Sequence, residues 1–217
     1  MTKQTLIVTE MFYSIQGESL FAGRPCVFIR LAGCNLRCAY CDTTYAFQEG
    51  TEMTIEAITE RVLSWPCRLV EITGGEPLFQ KNTPELVRGL LDLDLTVLVE
   101  TNGSYPVDAL DRRCVRIVDV KCPSSGESHR NLEVNVTRLD SKDQLKFVMM
   151  NREDYLFALD FIKDRRFPFD QGNILFSPVP GSLQPATLAG WMLEDGLSVR
   201  LQLQLHKTIW PDVERGV

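Results

Sequence analysis

The chain has 217 residues, 44% apolar and 24% charged, with a formal net charge of −6, which suits a single globular core of ordinary composition. The acidic balance argues against a duplex nucleic-acid binder, which needs a basic face, and no stretch approaches the roughly 20 apolar residues of a membrane span. The opening run "MTKQTLIVTEMF" has one lysine and a very short apolar stretch broken by Glu10, so no secretion signal is expected and a cytoplasmic location is.

In chain order, short β-branched runs alternate with helical patterns. "CVFIRLAG" (Cys26 to Gly33) reads as a buried strand leading into a cysteine loop. "TIEAITERVLSW" then places Ile55, Ile58, Val62 and Trp65 at helical spacing. "LVEITGGEP" (Leu69 to Pro77) is a strand ending in a Gly-Gly turn, and "NTPELVRGLLDL" is a helix with Thr83 as N-cap and Pro84 at the first helical position. The strands "LTVLVETNG" (Leu95 to Gly103), "VRIVDVKCP" (Val115 to Pro123) and "QLKFVMM" (Gln144 to Met150) follow. "REDYLFALDFIKDR" is a helix with Tyr155, Leu156, Leu159 and Ile162 along one side. "NILFSPVPG" (Asn173 to Gly181) and "SVRLQLQLH" (Ser198 to His206) are the last strands, with a weaker helix in "QPATLAGWMLEDG" between them. The polar interval Ser124 to Lys142 has no helical face and is expected to be an ordered loop over a site.

Strands alternating with helices imply βαβ units and a parallel sheet, and no linker or repeat divides the chain, so one domain over residues 1–217 is expected. Parallel strands present their carboxyl ends along one edge, where ligands bind. The unusual polar residues fall at those ends: the cysteine loop, Gly74-Gly75-Glu76, Glu100-Thr101-Asn102, Lys121, Ser177 and His206.

Three of seven cysteines, Cys34, Cys38 and Cys41, sit within eight positions. In a reducing compartment such a cluster points to a metal or to redox chemistry, and an odd total fits a disulfide framework poorly. Three thiolates leave a tetrahedral metal or an iron–sulfur cube one ligand short; Cys67, Cys114, Cys122 or His206 would have to complete a zinc site.

The spacing CxxxCxxC with Tyr40 before the last cysteine, followed downstream by "GGEP", resembles the radical S-adenosylmethionine (SAM) superfamily. That resemblance implies an incomplete parallel (β/α)6-type barrel with reduced helix cover. It also implies a [4Fe–4S] cluster on Cys34, Cys38 and Cys41, whose remaining iron is left for SAM. The blocks "SIQGE", "FIRLAGCNLRCAYCDT", "EITGGEP", "VETNG", "DVKCP", "LKFV", "SPV" and "LQLHK" extend from Ser14 to Lys207 and resemble, more narrowly, the 7-carboxy-7-deazaguanine synthase family of queuosine biosynthesis.

This second resemblance implies conversion of 6-carboxy-5,6,7,8-tetrahydropterin to 7-carboxy-7-deazaguanine with loss of ammonia, initiated by the 5′-deoxyadenosyl radical. Ile15, Gln16, Gly17, Glu18, Arg30, Thr73 and His206 would meet the substrate, and Thr43 would bind Mg²⁺. Tyr40, Gly74, Gly75, Glu76, Asn102, Asp119, Val120, Lys121, Ser177, Pro178, Val179 and Pro180 would meet SAM. An electron donor such as flavodoxin is implied, and an open barrel with modest helix cover would bury its apolar surface in a homodimer. No nucleic-acid or membrane partner is expected. The tail "TIWPDVERGV" would either close the site through Trp210 or Pro211 or leave it uncovered. The competing readings are an activase of glycyl-radical enzymes and a non-catalytic iron–sulfur or zinc module.

Overall fold

The computed structural model describes residues 4–217. The lysine of the opening run, Lys3, lies outside the described residues. Among the described residues nine strands form one sheet: β1 (Thr5–Ile15), β2 (Pro25–Leu31), β3 (Thr51–Thr54), β4 (Leu69–Gly74), β5 (Thr96–Thr101), β6 (Val115–Asp119), β7 (Gln144–Met149), β8 (Ile174–Pro178) and β9 (Arg200–Leu201). Their order is β3-β1-β2-β4-β5-β6-β7-β8-β9. From β2 to β9 every neighbouring pair is parallel, while β1 runs antiparallel to both β2 and β3. The parallel part is the expected open α/β barrel; the antiparallel ribbon at its edge was not expected.

Strand β1 escapes a period-two reading because it contains a bulge between Val8 and Glu10. Before the bulge Leu6 and Val8 enter the helix-side core; after it Met11 takes that side and Phe12 turns to the opposite, concave face. A single extra residue inverts the alternation, and Glu10 falls at the inversion.

The helices α1 (Ile55–Leu63), α2 (Thr83–Asp92), α3 (Arg152–Lys163), α4 (Pro185–Glu194) and α5 (Leu205–Ile209) cover the outer face and the site edge. Ile58 and Val62 of α1, with Leu86, Val87 and Leu90 of α2, pack on Val27, Ile29, Val70, Ile72, Val97 and Val99. Tyr155, Ala158 and Phe161 of α3, with Leu188 and Met192 of α4, pack on Leu145, Phe147 and Phe176. Leu156 was expected on that face but is exposed; Ala158 and Phe161 take the contact, three and six residues on from Tyr155. At α2 the cap position is Asn82, one residue earlier than expected. The Thr83 hydroxyl donates instead to the Pro77 carbonyl at 2.6 Å.

Strand β9 is only two residues long, although the alternation in "SVRLQLQLH" (Ser198 to His206) predicts nine. After Gln202 the chain leaves the sheet edge. Leu205 donates its N–H to the Gly17 carbonyl at 3.0 Å, and His206 then sits in α5 rather than at a strand end. The interval from Ser124 to Lys142 contains no α-helix, only short 3-10 turns at Ser128–Arg130 and Glu133–Arg138 and the end of one at Pro123–Ser125.

On the concave face, Phe12, Cys26, Phe28, Leu69, Leu98, Val115 and Ile117 fill the amino-terminal end of the sheet. The next side chains toward the carboxyl ends are polar. Register places Arg30 beside Thr73 and Asp119 beside Lys146. The apolar plug below and the polar row above place the open end of the concave face at the carboxyl edge.

Candidate functional site

That edge holds a cavity of ≈ 320 Å³. Cys34, Cys38 and Cys41 line it from the loop after β2. The loop is fastened at several points. Arg37 donates its main-chain N–H to Glu127 at 2.7 Å and its guanidinium to the Cys34 and Leu36 carbonyls at 2.8 and 2.7 Å, and stacks over Phe47. Ala39 N–H donates to the Ser125 carbonyl, so the polar interval does back onto the cysteines. Cys34 Sγ accepts from Leu36 N–H at 3.4 Å and from the Asn102 amide at 3.8 Å. Burial pushes the Cys34 and Cys38 thiols above their ordinary range; Lys121 opposes this at both.

The Gly-Gly turn after β4 lies directly against this loop. Gly75 N–H donates to the Leu31 carbonyl and Glu76 N–H to the Gly33 carbonyl. Gly74 has φ +137°, and a Cβ on it would overlap the Leu31 carbonyl. A Cβ on Gly75 would overlap the Gly33 carbonyl and come within 3.0 Å of Cys34 Cβ. Glycine is needed at both places because backbone meets backbone. The two sequence signatures are thus one structure.

Gly74, Gly75, Tyr40, Asn102, Asp119, Lys121, Ser177, Pro178, Val179 and Pro180 all line the cavity. The Asp119–Lys121 ion pair is 2.6 Å long and buried. Glu76 and Val120 do not line it. Glu76 is fully buried and accepts from Leu78 N–H, Thr101 Oγ1 and Asn102 N–H at 2.7–2.9 Å, tying the turn after β4 to the end of β5. Val120 belongs to the helix-side core and donates its N–H to the Lys146 carbonyl.

Ile15, Gln16, Gly17, Glu18, Arg30, Thr73, Thr43 and His206 line the same cavity. Gln16 is held at both ends: Oε1 accepts from Glu18 N–H at 2.7 Å and Nε2 donates to the Glu71 carboxyl. A Cβ on Gly17 would overlap the His206 ring. Arg30 Nε pairs with Glu10 at 2.7 Å. Thr43 Oγ1 donates to Asp42 at 2.9 Å, and Asp42 pairs with Lys207.

Residues that received no role from the sequence complete the site. Lys146 pairs with Glu18 at 2.5 Å and with Glu100 at 2.7 Å, and Gln204 donates to Glu18 at 3.0 Å. Glu71, Glu100, Gln204 and Lys207 line the cavity too. The available signal was a charge inside an apolar strand, as in "LVEITG" and "QLKFVM". The tail reaches the cavity through Val217, with Arg215 paired to Glu49 at 2.8 Å and stacked on Tyr45. Trp210 and Pro211 do not line it.

A model of the radical SAM superfamily matches residues 28–168. A 7-carboxy-7-deazaguanine synthase from Chlorobaculum tepidum is 49% identical over 219 residues, covering 100% of this chain and 99% of its own. One from Koribacter versatilis is 42% identical, covering 97% and 99%. The chain belongs to the 7-carboxy-7-deazaguanine synthase family. The crystal structure of QueE from Escherichia coli superposes on it with a TM-score of 0.76 at 22% identity, covering 92% of this chain and 94% of that one; this likeness concerns the fold.

As a radical SAM protein, this member of the 7-carboxy-7-deazaguanine synthase family takes a [4Fe–4S] cluster and SAM as cofactors. Its residues fit them. Three thiols line the cavity, whereas Cys26, Cys114 and Cys122 are fully buried elsewhere and Cys67 bonds to the Pro25 and Leu69 carbonyls at the far end of the sheet. No group of three or more His, Cys, Asp or Glu side chains among the described residues is arranged to hold a single metal ion. Thiols set apart around a loop suit the corners of a cube better than the one centre of a zinc site. Two N–H donors point at Cys34 Sγ, the kind of contact that tunes the potential of a bound cluster.

Proposed function

We propose that the protein is a radical SAM lyase that contracts 6-carboxy-5,6,7,8-tetrahydropterin to 7-carboxy-7-deazaguanine and releases ammonia. The observation that carries this reading is that one cavity is lined both by Cys34, Cys38 and Cys41 with the Gly-Gly turn and by the Ile15–Gly17 turn with Arg30, Thr73 and His206. When bound, the cluster and SAM supply an electron and the adenosyl carbon that takes hydrogen from the substrate. The chain supplies position and exclusion of water.

Gln16 is locked by its two hydrogen bonds, so its main chain and that of Ile15 and Gly17 present fixed polar groups to the pterin. Burial would raise the Glu18 carboxyl, but Lys146, Gln204 and His206 bring it below its ordinary value, so it stays an acceptor for the aminopyrimidine. Glu10 takes Arg30 Nε and leaves the two terminal nitrogens without a partner among the described residues, a fork suited to the substrate carboxylate. Burial lowers the His206 imidazole, leaving it neutral and able to accept as well as donate. Thr43 and Asp42 offer adjacent oxygens at the rim, which suits Mg²⁺ keeping several waters. Tyr40, Gly74, Gly75, Asn102, Asp119, Lys121 and residues 177–180 would hold SAM. Glu76 and Val120 would serve it indirectly, through the turn and the strand end that they brace.

The same reading includes a single domain over residues 1–217, an external electron donor such as flavodoxin, a cytoplasmic location and no nucleic-acid or membrane partner. Seven free thiols and the net charge of −6 support it, and no helix among the described residues is long and apolar enough to cross a membrane. A homodimer is favoured by Leu156 and Leu193, exposed on the outer helices. An activase would need a groove for a polypeptide, whereas Gln204, His206, Lys207 and Val217 border this cavity. Anaerobically reconstituted protein given SAM, reductant and the carboxytetrahydropterin should yield the deazaguanine and ammonia; no product from fully loaded protein would contradict the reading.

A further inference from the structure

The cavity floor holds more acid than base. Glu18 after β1, Glu71 on β4 and Glu100 on β5 surround one ammonium, that of Lys146 on β7. Lys146 pairs with Glu18 and Glu100; Glu71 has no ion pair among the described residues. Glu71 is only 3% exposed, and its cross-strand neighbours are Phe28 on β2 and Leu98 on β5, both part of the apolar plug. Among the described residues its side chain takes one hydrogen bond, from the Gln16 amide to Oε2, and Oε1 takes none although the side chain lines the cavity.

An isolated carboxylate flanked by apolar side chains and facing two further carboxylates is driven to its neutral form. Burial pushes the Glu71 carboxyl well above its ordinary value, Glu100 and Glu18 add to it, and Lys146 and Arg30 oppose it without contact. The groups facing it are Glu18 from the β1 turn, Cys26 and Arg30 from β2, Glu100 from β5 and Lys146 from β7.

We propose that Glu71 stands in the cavity as a carboxylic acid whose Oε2 accepts from Gln16 and whose Oε1–H donates to a ring carbonyl or unprotonated ring nitrogen of the bound heterocycle. Glu71 is then a specificity-determining residue of opposite sense to Glu18: one reads an acceptor on the ring, the other a donor. A ring offering N–H where the acceptor belongs would face an unpaired donor, which binding sites reject strongly. The Gln16 bond decides which oxygen carries the proton, because an amide N–H takes the carbonyl oxygen of an acid. The assignment rests on the pterin reading above.

The test uses cluster-loaded protein with SAM. In an infrared difference spectrum of wild type against E71Q, recorded without substrate, a protonated-carboxyl carbonyl band should be present in wild type and missing from E71Q. Binding of the carboxytetrahydropterin should weaken in wild type by about ten-fold or more as pH rises through the titration of Glu71, and should lose this dependence in E71Q. E71Q, which keeps a donor, should recover about ten-fold of the affinity lost in E71L. Absence of the band, tighter binding at higher pH, or E71Q no better than E71L would each overturn the assignment. Failure of wild type to bind the carboxytetrahydropterin at any pH, with the band present, would instead overturn the functional reading and with it the ligand assigned to Glu71.

Discussion

Lys207 and Asp42 meet in an ion pair that joins α5 to the exit of the cysteine loop. Burial alone would raise Asp42, but the Lys207 charge and hydrogen bond, with a hydrogen bond from Thr43, hold its carboxyl at about 2. The folded value lies below the unfolded value of about 3.9, so the stabilisation is fully present above about pH 4 and disappears as pH falls toward 2. Both heads are more than a third exposed, and solvent screening limits the pair to about 0.2–1 kcal/mol. A double-mutant cycle of D42N and K207M, read by thermal melts, should give a coupling in that range at neutral pH and a clearly smaller one as the pH approaches 2.

Lys146 is worth more because it is buried between two carboxylates. K146M would leave Glu18 and Glu100 without a cation, at a cost of about 3–5 kcal/mol and a fall of roughly 10 °C or more in melting temperature. Burial already holds Glu100 above its ordinary value, and in that variant Glu18, now lowered by Lys146, rises too, so the loss should shrink as the pH is lowered and they take up protons. Melts of wild type and K146M at mildly acid and mildly alkaline pH check both the size and the sign.

Gly75 tests the contact between the two signatures. A methyl group there must displace the Gly33 carbonyl and press on Cys34 Cβ. G75A should cost about 1–3 kcal/mol and should also lower iron content after reconstitution, because the cysteine loop moves. Iron and sulfide analysis beside a melt separates this from general destabilisation.

The seven thiols should divide cleanly. C34A, C38A and C41A should each abolish cluster absorbance and SAM cleavage. C67A should retain its iron, because Cys67 faces the Pro25 and Leu69 carbonyls far from the cavity. C114A should lose about 1 kcal/mol of core packing and no iron. Equal iron loss in all five would restore the four-ligand module.

Much of this was legible in the sequence because one periodicity dominates. The six parallel strands β2, β4, β5, β6, β7 and β8 are continuous apolar runs ending in polar turns, and residues at their carboxyl ends line one cavity. What escaped reading has local causes. The bulge at Val8–Glu10 hid β1 by inverting its alternation. The contact between Leu205 and Gly17 ended β9 early and put His206 on a helix, and nothing between residues 198 and 206 records a partner nearly 190 positions away. Lys146 and Glu71 read as strand residues since their charges have meaning only once five elements converge. Glu76 is the opposite case: its place in "GGEP" suggests ligand contact, and in the fold three donors of the protein itself bind its carboxylate.

The most direct measurement is electron–nuclear double resonance on the reduced, anaerobically reconstituted protein with SAM labelled at its amino nitrogen and carboxylate. Coupling of both labels to one iron of a [4Fe–4S] cluster is predicted, since Cys34, Cys38 and Cys41 leave one corner free. A cluster spectrum unchanged by SAM, or a fourth corner bound by a protein side chain, would contradict it.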